Sequence, residues 1–311
     1  MDMTVRLPRG LTLANPVMAA SGTFGFGPEY GAYVDIGRLG GVSAKGVSPD
    51  PWPGNPPPRV WETPGGLLNS IGLQNPGIET FIAQDLPFLR ESGTRVIVNV
   101  IGHTVEEYQR VAARLEREPG VDALEINISC PNIKAGGMSF GHDPDQAYAV
   151  TQAVRAVTDR PVMVKLSPNI ESPARIAEAA VAAGADMISA INTLVGLAID
   201  RHNRRPALGG VTGGLSGPAV KPVALRVVYE VAQAVAVPVI GMGGIAQVED
   251  VLDFLMAGAS AVMVGTITFQ HPNRMLAIID GLPAALAVHG FSSLPEIVGV
   301  ALPTRRQESG R

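Results

Sequence analysis

Cysteine is almost absent from this 311-residue chain, in which Cys130 stands alone. One thiol cannot make an intrachain disulfide or a multi-cysteine zinc site. Nor can it carry a four-thiolate iron–sulfur cluster unaided. Lysine is nearly as scarce: Lys45, Lys134, Lys165 and Lys221 account for 4 of the 24 basic residues. Charge is thin overall, at 17% of residues, and 24 basic against 28 acidic side chains leave a formal −4. That mild acidity argues against nucleic acid as a partner, which needs a basic stripe. No stretch reads as ~20 uninterrupted apolar residues, so neither a transmembrane helix nor a membrane partner is expected. Met1–Arg6 lacks the charged-then-apolar order of a signal peptide, and a cytoplasmic setting is the default expectation.

The chain is 46% hydrophobic, which suits a compact fold with a large core. Its 36 glycines and 26 prolines punctuate a recurring pattern and do not form low-complexity tracts. A Gly or Pro turn leads into a short apolar run that ends in a polar residue or glycine. Val96-Ile97-Val98 ends at Asn99, Ala123-Leu124-Glu125-Ile126 at Asn127, and Val162-Met163-Val164 at Lys165. Met187 to Ile191 ends at Asn192, Val239-Ile240 at Gly241, and Ala261 to Val264 at Gly265. Val17 to Ala20 ends at Ser21, and Val42-Ser43-Ala44 at Lys45. Eight such runs read as parallel strands buried on both faces.

Helical periodicity fills most of the gaps, over Val105–Arg117, Pro173–Ala183, Pro218–Ala234 and Val248–Ala257. Eight strands alternating with helices predict a (β/α)8 barrel, spanning 1–311 as a single domain. A doubly wound sheet is the alternative. It would carry Gly-x-Gly-x-x-Gly after the first strand, a spacing that Gly22 to Gly27 does not fit. Three insertions, over Ser48–Gly66, Pro131–Asp143 and Val195–Gly214, follow strands and should crowd the catalytic face, the last as a hairpin or lid.

Lys45 and Lys165 each end an apolar run, where an ammonium is costly to desolvate unless an anion or polar ligand meets it. Asn69, Asn99, Asn127, Asn132 and Asn192 fall at strand ends or adjoining loops. Turn capping accounts for any one of them. Several converging amides could read a planar heterocycle with alternating C=O and N–H groups. Cys130 lies just past a strand end between polar residues, where a thiol can act as a base if activated. The five histidines, His103, His142, His202, His271 and His289, show no metal-ligand spacing, and no metal is expected. Gly241-Met242-Gly243-Gly244-Ile245 and Gly265-Thr266 follow the last two strands, the usual phosphate site of such barrels. Phosphate beside a ring held by Lys165 points to FMN or another phosphorylated ligand.

Taken together, these motifs resemble the class 1 dihydroorotate dehydrogenases over nearly the whole chain. The matching segments are Asn15-Pro16-Val17-Met18-Ala19-Ala20-Ser21-Gly22-Thr23, Lys45-Gly46, Asn69 to Gly77, Asn127-Ile128-Ser129-Cys130-Pro131-Asn132 and Ile240 to Ile245. Cysteine at position 130 resembles class 1, since class 2 enzymes use serine there. Gly54 to Arg59 together with Ile71 to Gly77 is similar to subclass 1B.

The resemblance implies oxidation of (S)-dihydroorotate to orotate in pyrimidine (UMP) biosynthesis. Cys130 would be the general base at C5, with hydride passing from C6 to N5 of one FMN per chain. Lys45, Asn69, Ser70, Ile71, Gly72, Leu73, Asn127, Asn192 and Thr193 would bind substrate. Ser21, Lys45, Gly46, Asn99, Asn127, Lys165, Ile191 and Gly217 would surround FMN, with Gly243, Gly244, Gly265 and Thr266 at its phosphate. Electrons would pass to NAD+ through a partner subunit carrying FAD and a 2Fe–2S cluster, in a heterotetramer built on a homodimer core. A fumarate-dependent class 1A homodimer and a Schiff-base lyase barrel using Lys165 are the alternatives.

Overall fold

The computed structural model describes residues 1–129 and 140–303. Eight parallel strands close into a barrel: β1 (Val17–Ala19), β2 (Gly41–Val47), β3 (Val96–Val100), β4 (Ala123–Asn127), β5 (Val162–Lys165), β6 (Met187–Ala190), β7 (Val239–Met242) and β8 (Ala259–Val264). Their order around the barrel is their order in the chain. β8 pairs back onto β1 through Val262 with Val17, Met263 with Met18 and Val264 with Ala19. The expected (β/α)8 architecture is therefore the one observed. Strands β3, β4 and β5 are buried at every position, because helices cover the outside and side chains fill the inside.

The covering helices are α1 (Leu86–Glu91), α2 (Val105–Glu116), α3 (Pro144–Arg155), α4 (Pro173–Ala182), α5 (Lys221–Ala234), α6 (Val248–Met256) and α7 (Arg274–Val288). Helix α2 starts at Thr104, whose hydroxyl accepts from the Glu107 amide at 3.3 Å. It buries Tyr108, Val111, Ala112 and Leu115, one stripe at helical spacing. The Asp143 carboxylate caps α3 by accepting from the Asp145 amide at 2.9 Å. The helix expected from Pro218 opens as a tighter 3-10 turn, Pro218–Val220, before α5 proper. Pro218 and Pro222 have no N–H to give an α-helical ladder. Between β1 and β2 only short turns occur, Ser21–Phe24 and Ile36–Arg38.

Two of the three insertions build one structure. Leu194–Gly196, Gly213–Ser216, Gly66–Asn69 and Val60–Thr63 form a four-stranded antiparallel sheet in that order. Asn69 lies opposite Gly214, and Leu68 opposite Leu215. A Cβ at Gly66 would sit 1.8 Å from the Ser216 carbonyl oxygen, so only glycine lets these strands approach. The hairpin expected within 195–214 is thus half of a lid sheet, completed by a segment far away in sequence.

At the opposite end of the barrel, Asp186 ties three elements together. Its carboxylate accepts from Arg9 Nε at 2.8 Å, Arg155 Nη1 at 2.9 Å and the Val162 amide at 2.9 Å. Asp186→Ala removes the one carboxylate hydrogen-bonded to the largely buried Arg155 guanidinium among the described residues. It should lower the unfolding free energy by about 3 kcal/mol, read as a lower urea midpoint with an unchanged slope.

Candidate active site

Side chains inside the barrel stack in layers drawn from alternate strands. Ser43 on β2, Glu125 on β4 and Ser189 on β6 meet in one polar layer. Glu125 is fully buried, at 0% exposure. Its Oε2 accepts from Ser43 Oγ at 2.9 Å and from Asn99 Nδ2 at 2.6 Å, and its Oε1 accepts from Ser189 Oγ at 2.8 Å. Directly beyond lies Lys165, 5% exposed, at the end of β5. Its Nζ is 4.0 Å from Glu125 Oε2 and 3.5 Å from Ser21 Oγ. The ammonium therefore has an anion on its inner side and a cavity on its outer side.

A chain of amides continues from this layer. Asn127 Nδ2 donates to Asn99 Oδ1 at 3.3 Å, and Asn127 Oδ1 accepts from Ser129 Oγ at 3.0 Å. Asn192 Nδ2 also donates to Ser129 Oγ, at 2.9 Å, and the Thr193 amide donates to Asn192 Oδ1 at 2.8 Å. From α2, Tyr108 Oη donates to the Asn127 carbonyl at 2.8 Å and pins the end of β4.

Two adjoining cavities open where the strands end, with about 640 and 760 Å³ of non-atom space when the solvent at their mouths is included. Both are lined by Lys165, Asn192, Thr193 and Thr266. Ser21, Lys45, Gly46, Asn69, Ile71, Gly72, Leu73, Asn99 and Asn127 line one of them. Ile191, Gly217, Gly243, Gly244 and Gly265 line the other. Most residues singled out from sequence thus converge. Ser70 lines neither cavity; its buried hydroxyl accepts from Asn55 Nδ2 at 2.9 Å. Cys130, like Asn132 and Lys134, lies outside the described residues.

The glycine wall has a local cause. Gly243 and Gly244 adopt φ of +124° and +79°, which L side chains rarely allow. A Cβ at Gly244 would meet the Lys221 backbone nitrogen at 2.8 Å, so this loop packs against the start of α5 only as glycine. Thr266 Oγ1 donates to Ser216 Oγ at 2.8 Å, joining the loop after β8 to the lid sheet. Sequence reasoning missed Ser216 and the Ser43–Glu125–Ser189 layer. For Ser43 and Glu125 a signal was present: each stands two residues before the polar strand end, Lys45 or Asn127, inside an otherwise apolar run.

A parallel barrel whose strand ends hold a buried cation between an amide-lined and a glycine-walled cavity is the arrangement of an α/β-barrel enzyme. A family model described as dihydroorotate dehydrogenase matches residues 4–286. The chain belongs to the dihydroorotate dehydrogenase family. It is 55% identical over 290 residues to a protein of Alkaliphilus metalliredigens, covering 93% of this chain and 96% of the relative. It is 53% identical over 298 residues to one from Geotalea daltonii, covering 96% and 97% of the two chains. A Pelobacter propionicus relative is 54% identical over 298 residues, covering 96% and 98%. All three relatives are named dihydroorotate dehydrogenase B (NAD(+)), catalytic subunit.

Beside the mouth lies a wider, open hollow lined by Phe24, Phe26, Tyr30, Trp52 and Phe269, with Asp85 at its edge. Partial burial, and then the Glu29 carboxylate, push the Asp85 carboxyl above its ordinary value. A carboxyl raised in the folded state disfavours folding once pH passes the ordinary carboxylate range. Asp85→Asn should therefore raise the melting temperature at pH 7. The gain should vanish near about pH 3, where the native carboxyl is protonated in both states.

Proposed function

We propose that this chain is the catalytic subunit of an NAD+-linked dihydroorotate dehydrogenase, oxidising (S)-dihydroorotate to orotate on the route to UMP. The observation that carries this reading is the Lys165 ammonium, buried between an amide-lined cavity and a glycine-walled one. The names of the relatives support it at more than half identity over nearly the full chain.

The donor set fits FMN. Gly243, Gly244, Gly265 and Thr266 offer backbone amides and a hydroxyl suited to a phosphate near the start of α5. Ser21, Lys45, Gly46, Asn99, Asn127, Ile191 and Gly217 supply the flanks of a planar ring, and Lys165 a fixed positive charge. When bound, FMN supplies the two-electron acceptor that takes hydride from C6 of the substrate.

The chain's own residues do the rest by placement and charge. Asn69, Asn127, Asn192 and Thr193 present the donors and acceptors that a dihydropyrimidine's amides need, with Ser70, Ile71, Gly72 and Leu73 shaping that side. Lys45 offers the charge for the substrate carboxylate. The Cys130 thiolate takes the proton from C5; the C5–H pair becomes the C5=C6 bond as hydride leaves C6, and the thiol then returns its proton to solvent. Lys165, buried at the end of β5, would place a fixed positive charge beside the bound ring. A homodimer core paired with an FAD/2Fe–2S subunit supplies the outlet to NAD+; the lone cysteine of this chain leaves cluster ligands to that partner. No helix among the described residues is long and apolar enough to cross a membrane, which fits a cytoplasmic assembly.

Anaerobic mixing with dihydroorotate tests this reading: the yellow flavin should bleach in one turnover, and a chain that keeps its colour would refute it. Cys130→Ala should retain FMN but reduce it about 10² to 10⁴ times more slowly. Gly244→Ala, forced against Lys221, should weaken FMN binding by about tenfold or more while the circular dichroism stays native.

A further inference from the structure

Glu125 has no part in the chemistry just described, yet it is the most enclosed charge near the site. A carboxylate at 0% exposure in the middle of a barrel strand does nothing for a hydrophobic core. Four polar groups from four other strands close on it: Ser43, Asn99, Lys165 and Ser189. Ser43, Asn99 and Ser189 each donate to its oxygens. Lys165, lining both cavities, has its ammonium 4.0 Å from one of those oxygens.

We propose that Glu125 is a positioning residue that acts through Lys165: it anchors the ammonium and sets how much positive charge the bound flavin ring meets. This rests on the FMN reading above. With Glu125 ionised, Lys165 presents the positive end of a compact ion pair to the cavity. With Glu125 neutralised, the ammonium presents its whole charge. A ring that gains negative charge on reduction feels that difference more than the oxidised ring does.

The test uses the full chain loaded with FMN, without dihydroorotate. The binding of oxidised and of reduced FMN is measured for the native chain, Glu125→Gln, Lys165→Met and the double variant, and the midpoint potential alongside. Glu125→Gln should favour reduced over oxidised FMN by about tenfold, a positive shift of about 30 mV for a two-electron couple. In the Lys165→Met background the same change should shift the ratio less than about twofold. There no ammonium remains for the change to unmask toward the ring. Glu125→Asp, which keeps the charge, should restore the native ratio.

An unchanged ratio in Glu125→Gln overturns the inference, as does an equal shift in both backgrounds. Should the single variant fail to fold, the double variant decides. If removing both charges restores folding, the carboxylate is there for Lys165; if the double also fails, Glu125 serves the barrel alone and the inference falls. A native chain that binds no FMN refutes the cofactor reading instead, so the two failures are distinct.

Discussion

A buried ammonium facing a buried carboxylate along the axis of a parallel barrel is the constraint around which this site is organised. Neither charge is tolerable alone in such an interior: desolvation costs several kcal/mol per ion. Lys165 and Glu125 coexist because Ser43, Asn99 and Ser189 supply the donors that Lys165 does not. The carboxylate also imposes a direction. It can only accept, so Asn99 must turn its NH₂ inward and its oxygen toward Asn127. Asn127 then spends its NH₂ on Asn99 and leaves its oxygen to Ser129, which in turn receives the NH₂ of Asn192. Donor and acceptor positions at the mouth are thus inherited, link by link, from one charge at the centre.

The cavities need a second wall, which the barrel strands cannot make. The lid sheet provides it by pairing two insertions that are remote in the chain. Its strand Gly213–Ser216 runs through Gly217, with φ of +101°, into the 3-10 turn ahead of α5. The start of α5 is in turn packed against Gly243 and Gly244. One continuous segment therefore carries a strand of the lid sheet and the start of the helix against which the glycine wall packs. The Thr266–Ser216 hydrogen bond closes the same circuit from β8.

Much of this was legible in the sequence, for identifiable reasons. The eight strands announce themselves because both faces are buried, which leaves uninterrupted apolar runs closed by Asn, Lys or Gly. Helices α2, α4 and α6 show their stripe. Helix α7 does not, because Gly281 and Pro283 interrupt its run and mimic a loop; its apolar content is spread around the helix. The lid sheet was seen only in part, since pairing Asn69 with Gly214 is a long-range event that no local pattern encodes. Ser70 falls within Asn69 to Gly77, a segment whose resemblance to the family covers every residue alike. Along an extended segment, however, alternate side chains face opposite ways, and its hydroxyl is bound to Asn55 while Asn69 and Ile71 line the cavity. Glu125 was read as one letter in an apolar run. Its meaning appears only once Ser43 and Ser189, on alternate strands, are seen to reach it.

The scarcity of lysine acquires a physical sense from the same geometry. Arginine serves the outer ion pairs, as in Arg9, Arg95, Arg110 and Arg226, where water and neighbouring carbonyls can satisfy a five-donor fork. Among the described residues, the partners at position 165 are one carboxylate oxygen at 4.0 Å and one serine hydroxyl at 3.5 Å, with the cavity in front. A guanidinium there would leave donors unmet inside the barrel. An ammonium, compact and with three donors that rotate freely, can serve an anion behind it and a ligand in front of it at once. The choice of lysine at the end of β5 thus follows from the small number of acceptors that a closed parallel barrel can offer at its axis.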